Sequence, residues 1–280
     1  MRFTISRDSL LTPLQLVSNA VERRQTLPVL SNILVVLEQQ ELSLTATDLE
    51  VELVAKVTLN EVGDSGQITV PAKKFLDICR SLPSGDVEFF LENQKVTIKS
   101  GANKFTLSTI AATEFPSVDE SVGTHQMTIN QAQLKSLMDR TAFAMAQQDV
   151  RYYLNGMLFE IDNNSLKSVA TDGHRLALAE LTTDLATDNT SEAIIPRKGI
   201  TELLRLLEDS DDEVNMTLGT NHLRLVTPAF TFTSKLIDGK FPDYDRVLPK
   251  NGDKSLTANR EDLRDAFARA AILCNEKYRG

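Results

Sequence analysis

Asp172, His174 and Arg175 stand within four residues of one another in the stretch "ATDGHRLALAE" (170–180). A carboxylate, an imidazole and a guanidinium so close together could act as base, proton shuttle and electrophile in a hydrolase. They could equally serve as donors and acceptors for a bound peptide. On an extended segment Asp172 and His174 would share a face. A hydrolytic triad also needs a nucleophile poised against the histidine, and neighbours along a strand rarely converge. No Gly-x-Ser-x-Gly element or metal-ligand pair accompanies these residues, so hydrolysis by Asp172 and His174 is the weaker alternative. Cys79 and Cys274 each lack a second Cys or a His at ligand spacing, so neither a metal nor a cofactor is expected.

The elements that position this stretch belong to a repeat. "LSNILVVLEQQELSLTATDLEVEL" (30–53) aligns with "LNGMLFEIDNNSLKSVATDGHRLA" (154–177) at a shift of 124 without gaps. Leu30, Leu34 and Leu42 fall on Leu154, Leu158 and Leu166, and Ala46-Thr47-Asp48 falls on Ala170-Thr171-Asp172. "VPAKKFLDICRSL" (70–82) then matches "IPRKGITELLRLL" (195–207), "KFTLST" (104–109) matches "AFTFTS" (229–234), and Phe115-Pro116 matches Phe241-Pro242. The shared Asp48 and Asp172, one without a neighbouring His or Arg, read as turn or capping residues. A third copy begins at "LTANREDLRDAFARAA" (256–271), whose Leu263 and Phe267 fall on Leu134 and Met138, and on Leu10 and Leu14. A unit of this period would give a parent chain of about 370 residues, so the 280 residues read as incomplete at the carboxyl end. The expected division is 1–125, 126–252 and an incomplete 253–280.

Each unit has the same plan, a short strand before a helix and then alternating segments. "LSLTAT", "VELVAKVTL" and "DVEFFLE" have the two-residue period of half-buried strands. Phe75, Ile78, Cys79 and Leu82 recur instead at i, i+3, i+4 and i+7, one face of a helix, as do Ile200, Leu203, Leu204 and Leu207. Helices are predicted over 7–19, 71–82, 130–141, 196–207 and 259–271. Pro71 and Pro196 fit helix first turns, whereas Pro13 should bend the first helix unless it starts near Ser9. The fold class expected is α+β, with antiparallel sheets and helices repeated from domain to domain.

The net charge of −9 argues at first against a nucleic-acid partner. Its distribution reverses that reading. The predicted helices hold twelve basic and seven acidic residues, a net +5, which leaves −14 elsewhere. Related helices on one side of a curved sheet would sum weak positive faces into one basic surface. No apolar stretch reaches the roughly 18 residues of a membrane span. Without a secretory signal or a framework of paired cysteines, the cytosol is the natural compartment.

Together these stretches resemble the bacterial DNA polymerase III beta subunit, the sliding-clamp family. The most specific are "QDVRYYLNGMLFE" (148–160), "ATDGHRLA" (170–177), "IPRKG" (195–199), "TSKLIDGKFPDYDRVLP" (233–249) and "AFARAAILCNEKYRG" (266–280). The resemblance implies a processivity factor, not an enzyme: an accessory subunit of a nucleotidyltransferase holoenzyme. It implies a ring of two head-to-tail subunits, helices lining the hole and sheets forming the outer wall, that encircles duplex DNA without sequence specificity. The implied DNA contacts are Arg24, Lys73, Gln148, Tyr152 and Tyr153; Arg197 and Lys198 are added on position and charge. On a strand Tyr152 and Tyr153 would point to opposite faces, leaving one of them in the core. The resemblance also implies a groove for short linear motifs of the polymerase, the clamp loader and repair proteins. Its residues would be Arg151, Leu154, Thr171, Gly173, His174, Arg175, Leu176, Pro242, Arg246 and Val247, with Leu154, Leu176, Pro242 and Val247 as the apolar floor. Phe105 and Leu107 on one side, and Ile272 and Leu273 on the other, would form the subunit interface. The 280-residue chain is expected not to close a ring. A peptide-binding repeat scaffold unrelated to DNA is the second non-enzymatic reading.

Overall fold

The computed structural model describes residues 1–21, 27–116, 125–250 and 252–274. Residues 1–241 form one compact unit and 242–280 a second. The first repeat opens with β1 (Arg2–Ser6) and α1 (Arg7–Ser18). It continues through β2 (Asn32–Glu38), β3 (Glu41–Thr47), β4 (Val51–Thr58) and β5 (Gly66–Pro71) into α2 (Ala72–Ser81). It closes with β6 (Asp86–Glu92), β7 (Lys95–Ser100) and β8 (Asn103–Ser108). The second repeat has β9 (His125–Asn130), α3 (Gln131–Ala142), the long strands β10 (Gly156–Thr171) and β11 (Leu176–Pro196), and α4 (Arg197–Leu206). It ends with β12 (Glu213–Leu218), β13 (His222–Val226) and β14 (Phe230–Lys235). The second unit carries α5 (Arg260–Ala271).

Every strand pairing is antiparallel, in sheets ordered β1-β6-β7-β8, β10-β11 and β5-β2-β3-β4-β14-β13-β12-β9. The last sheet explains why both repeats fall in one unit. Strand β4 of the first pairs with β14 of the second, Phe230 opposite Ala55 and Ser234 opposite Val51, so one hydrogen-bonded ladder crosses the repeat boundary.

The repeated sequence folds alike. Ser6 caps α1 by accepting the Ser9 N–H, Asn130 caps α3 by accepting that of Gln133, and Asn259 caps α5 by accepting those of Glu261 and Asp262. Leu10 and Leu14 of α1, and Leu134 and Met138 of α3, are buried in the core. Their counterparts Leu263 and Phe267 on α5 are exposed. The apolar face predicted for α2 is the face it buries: Phe75 and Cys79 are fully buried and Leu82 nearly so. Burial pushes the Cys79 thiol up to about 12, against the pull of the Arg7 charge.

Three prolines lie in or just before these helices. Helix α1 starts at Arg7 and passes through Pro13. The Ser6 cap secures its first turn and the buried Leu10, Leu14 and Val17 hold it to the sheet, so packing overrides the missing N–H. Pro71 and Pro196 sit at the N-cap positions, one residue before the first turn.

Candidate functional site: a peptide groove around a duplicated turn

The chain reverses between β10 and β11 over residues 172–175, so Asp172 and His174 do not lie on the extended segment the sequence implied. Thr171 Oγ1 donates to the Arg175 carbonyl at 2.7 Å and accepts the Gly173 N–H at 3.1 Å. Asp172 Oδ1 accepts the N–H groups of His174 at 2.9 Å and Arg175 at 3.0 Å. The first repeat makes the same turn. Thr47 Oγ1 donates to Val51 at 2.9 Å and accepts from Leu49 at 3.1 Å, and Asp48 Oδ1 accepts from Glu50 at 2.9 Å and Val51 at 2.8 Å. Both turns need a left-handed residue, filled by Gly173 at φ +85° and by Leu49 at φ +78°. The two aspartates are therefore turn residues, held by side-chain-to-backbone bonds.

The copies part at the second carboxylate oxygen. Asp172 Oδ2 accepts from Arg175 Nε at 3.0 Å. Asp48 Oδ2 is ion-paired with Lys198, at the start of α4 in the other repeat. Desolvation works to raise the Asp172 pKa, but hydrogen bonds from the His174 and Arg175 N–H groups and from the Arg175 side chain outweigh it and hold the carboxylate below its ordinary value. Both oxygens are occupied and the group stays ionised. The bonds that reach it from residue 174 come from the backbone, not the imidazole.

Arg151 meets this turn from the preceding loop. Its Nε and Nη2 bond both oxygens of Asp149, at 3.0 and 2.8 Å, and Nη2 also donates to the Asp172 carbonyl at 3.2 Å. The side-chain and backbone hydrogen bonds of Arg151 bring Asp149 down to about 2. A Cβ on residue 173 would lie 2.9 Å from Arg151 Nη1 and Nη2, so glycine is what lets the guanidinium sit against the backbone. Asn155 fastens the loop, accepting the Asp149 N–H and donating to the Asp149 carbonyl, both at 2.9 Å. Arg175 lies over the ring of Phe143, with Cζ 5.5 Å from its centroid.

Of the residues expected in the groove, the structure gathers Arg151, Thr171, Gly173, His174 and Arg175 around this turn, and Leu176 pairs with Thr171 in the ladder. Leu154 is almost wholly buried and supports the loop from below. Pro242, Arg246 and Val247 belong to the second unit, where all three are exposed and Arg246 Nε pairs with Asp243 at 2.7 Å.

Among the expected DNA contacts, Arg24 lies outside the described residues. Lys73 is exposed in the first turn of α2. Gln148, Tyr152 and Tyr153 share the Arg151 loop. Tyr152 and Tyr153 occupy a 3-10 turn (Tyr152–Leu154) and not a strand, so the rings do not point apart. They meet edge to face at 5.7 Å, with Tyr152 57% exposed. Lys198 holds Asp48, and Arg197 Nη1 donates to the Met145 carbonyl at 3.1 Å. The positive helix faces are partly neutralised: Arg7 pairs with Asp8, Lys135 with Asp209 and Arg205 with Glu202. Lys73, Lys74, Arg80 and Arg140 stay exposed without an ion pair to a described residue.

At the expected interface, Leu107 is buried in the core of its own repeat and Phe105 packs against that core. Strand β8 is an edge, paired only with β7 among the described residues, so its backbone is what it offers a partner. Ile272 and Leu273 are 77% and 94% exposed beyond α5.

The sequence reading missed Asp149, Phe143, Asn155 and the Asp48–Lys198 pair. The Asp-x-Arg spacing of Asp149 and Arg151 carries a local clue. Asn155 reaches Asp149 six residues away, and Phe143 and the Asp48–Lys198 pair join positions far apart in the chain. Among the described residues no three His, Cys, Asp or Glu side chains gather as a metal would need, and no helix is long and apolar enough to cross a membrane.

Comparison with known proteins covers the whole chain. Residues 1–119 match the N-terminal domain of the DNA polymerase III beta subunit, and residues 128–243 match its central domain. The chain is 58% identical over 281 residues to the Beta sliding clamp of Pseudomonas aeruginosa, covering 100% of this chain and 77% of that protein. The crystal structure of the DNA polymerase III subunit beta from that organism superposes with a TM-score of 0.98 at 57% identity, covering 100% of this chain and 76% of the other. The sliding clamp from Bacillus subtilis still superposes with a TM-score of 0.95 at 29% identity, covering 99% of this chain and 75% of that one.

Proposed function

The chain belongs to the DNA polymerase III beta subunit family of sliding clamps, and we propose that its duplicated turn in the second repeat is where partners of replication dock. It works as a non-catalytic processivity factor: a ring-forming clamp that holds duplex DNA topologically and tethers the replicative polymerase, clamp loader and repair proteins. In that role it is a cytoplasmic accessory subunit of a nucleotidyltransferase holoenzyme, and the head-to-tail ring of two subunits belongs to a clamp of three complete domains. The boundaries 1–125, 126–252 and 253 onward are the domain division this reading takes.

One observation carries the groove. Arg151 and Arg175 are each anchored by a carboxylate next to a glycine that leaves the backbone open, and donors remain on both guanidinium groups for a peptide. Preorganised donors suit a short linear motif, since little side-chain order is lost on binding. Gln148, Tyr152 and Tyr153 on the same loop, with Lys73 on α2, are the DNA contacts. Phosphate contacts of this kind bind weakly and without sequence preference, as sliding demands.

The test is fluorescence anisotropy of a fluorescein-labelled clamp-binding peptide from a replicative polymerase against this chain, with Arg175→Ala and Leu176→Ala. Binding that both substitutions weaken about ten-fold supports the groove. Binding that ignores both substitutions overturns it.

A further inference from the structure

We propose that Phe143 is a positioning residue of the peptide groove, its ring fixing the plane of the Arg175 guanidinium so that both Nη groups face an incoming peptide; this rests on the groove reading above. Phe143 is the residue that ends α3, and at 58% exposed it is a large aromatic left at the surface. Arg175 is held at two points from different elements. Asp172 takes Nε at 3.0 Å within the turn, and the Phe143 ring, 32 residues earlier, lies 5.5 Å from Cζ. A single anchor leaves an exposed guanidinium free to rotate about it. An anchor plus a ring face leaves one orientation, and a guanidinium stacks well on an aromatic face while its edge keeps donating. Neither Nη of Arg175 donates to a described residue, so these are the donors kept for a ligand.

The duplication supplies an internal comparison. The position equivalent to Phe143 is Asn19, which ends α1 in the same backbone conformation, and the position equivalent to Arg175 is Val51. The first repeat makes the same turn with neither the ring nor the guanidinium. Ring and guanidinium occur together in the copy that carries the groove, and both are absent from the copy whose turn aspartate reaches Lys198 instead.

The experiment pairs Phe143→Leu and Phe143→Trp with Arg175→Ala, measured with the same labelled polymerase peptide. Phe143→Leu keeps apolar bulk and removes the π face. It should weaken binding about two- to five-fold, the scale of a cation–π contact at an exposed site. Phe143→Trp should bind like the parent chain. In the Arg175→Ala background Phe143→Leu should change nothing further. An effect of Phe143→Leu that persists without Arg175, or no effect with it, overturns the proposal. A second readout does not depend on the peptide: the Arg175 Nε–H resonance should be shifted by the ring current and return to the position of a free arginine in Phe143→Leu. No such return overturns the stacking itself. If Arg175→Ala binds the peptide like the parent chain, the groove reading fails and this proposal with it. If Arg175→Ala weakens binding and Phe143→Leu does not, only the role of Phe143 fails.

Discussion

Gly173→Ala separates the two things glycine does in the turn. The residue sits at φ +85°, where a side chain costs about 1–2 kcal/mol. The added Cβ would also lie 2.9 Å from two nitrogens of Arg151, which must move off the Asp172 carbonyl. That hydrogen bond is exposed, so its loss adds about 0.5 kcal/mol. The total is about 1.5–2.5 kcal/mol, read as a lower urea midpoint at unchanged slope. Peptide affinity should fall about ten-fold, because the displaced guanidinium no longer presents its donors where the groove needs them. Gly173→Asn divides the terms: Asn tolerates the left-handed region, so much of the stability returns, but its Cβ still displaces Arg151 and the affinity loss stays. Leu49→Gly at φ +78° is the mirror experiment. Relief of about 1–2 kcal/mol is set against the roughly 0.5–1 kcal/mol entropy cost of glycine, so the change should be neutral or slightly stabilising. Gly173→Ala unfolding at the parent midpoint would refute the left-handed turn as a constraint. Destabilisation with unchanged peptide affinity would refute the role given to Arg151.

Three further outcomes follow from the same geometry. Asp48→Ala strips the acceptor from two turn N–H groups and takes from Lys198 the charge of a carboxylate that is only 3% exposed, so urea unfolding should show a loss of about 2–4 kcal/mol, with part regained in Asp48→Ala/Lys198→Met; a loss below about 0.5 kcal/mol would discard the pair as a tie between repeats. A thiol reagent should modify Cys274 at once and Cys79 only as the chain unfolds, and since the folded Cys79 pKa is raised to about 12, stability from this group is full below the unfolded value near pH 9 and declines as pH rises toward 12, a slope that Cys79→Ala should remove. Asp149→Asn should weaken peptide binding several-fold by releasing Arg151; because the folded carboxylate is depressed to about 2, its hold on Arg151 is complete above the ordinary carboxylate range and fades only as pH falls through about 2, so binding that declines from pH 6 to pH 4.5 through this group would contradict the pairing.

What the sequence discloses is local or repeated. The spacing of Phe75, Ile78, Cys79 and Leu82 predicts a helix over 71–82, and the chain folds Ala72–Ser81, because an amphipathic period needs only one apolar surface to pack on. The repeat exposes Asp48 and Asp172 as turn residues before any coordinates, since the first copy lacks the His and Arg that suggested chemistry. Pro13 shows the converse: the helix continues through it on the packing of Leu10, Leu14 and Val17, whose partners no window contains. The ladder between β4 and β14, the reach of Lys198 to Asp48 and the stack of Phe143 on Arg175 join residues 32 to 183 positions apart. The helical charge count is correct as arithmetic and incomplete as electrostatics. It treats Lys198 as a free cation, whereas its charge is paired with an aspartate from another element.

The duplicated turn also settles what Asp172, His174 and Arg175 can do. A general base needs an open lone pair within reach of the proton it takes and a pKa near the working pH. Asp172 lacks the second: two N–H groups bond Oδ1, Arg175 bonds Oδ2, and these bonds keep it ionised below its usual range. The first repeat shows what such a carboxylate is for. There the same oxygen is turned to a lysine of the next repeat, where its charge ties the two repeats together. In the second repeat it is turned to an arginine half exposed to solvent, so the same local geometry that stiffens a core junction stiffens a donor. One backbone motif, copied with its hydrogen bonds intact, takes a structural or a binding role according to which cation its spare oxygen holds.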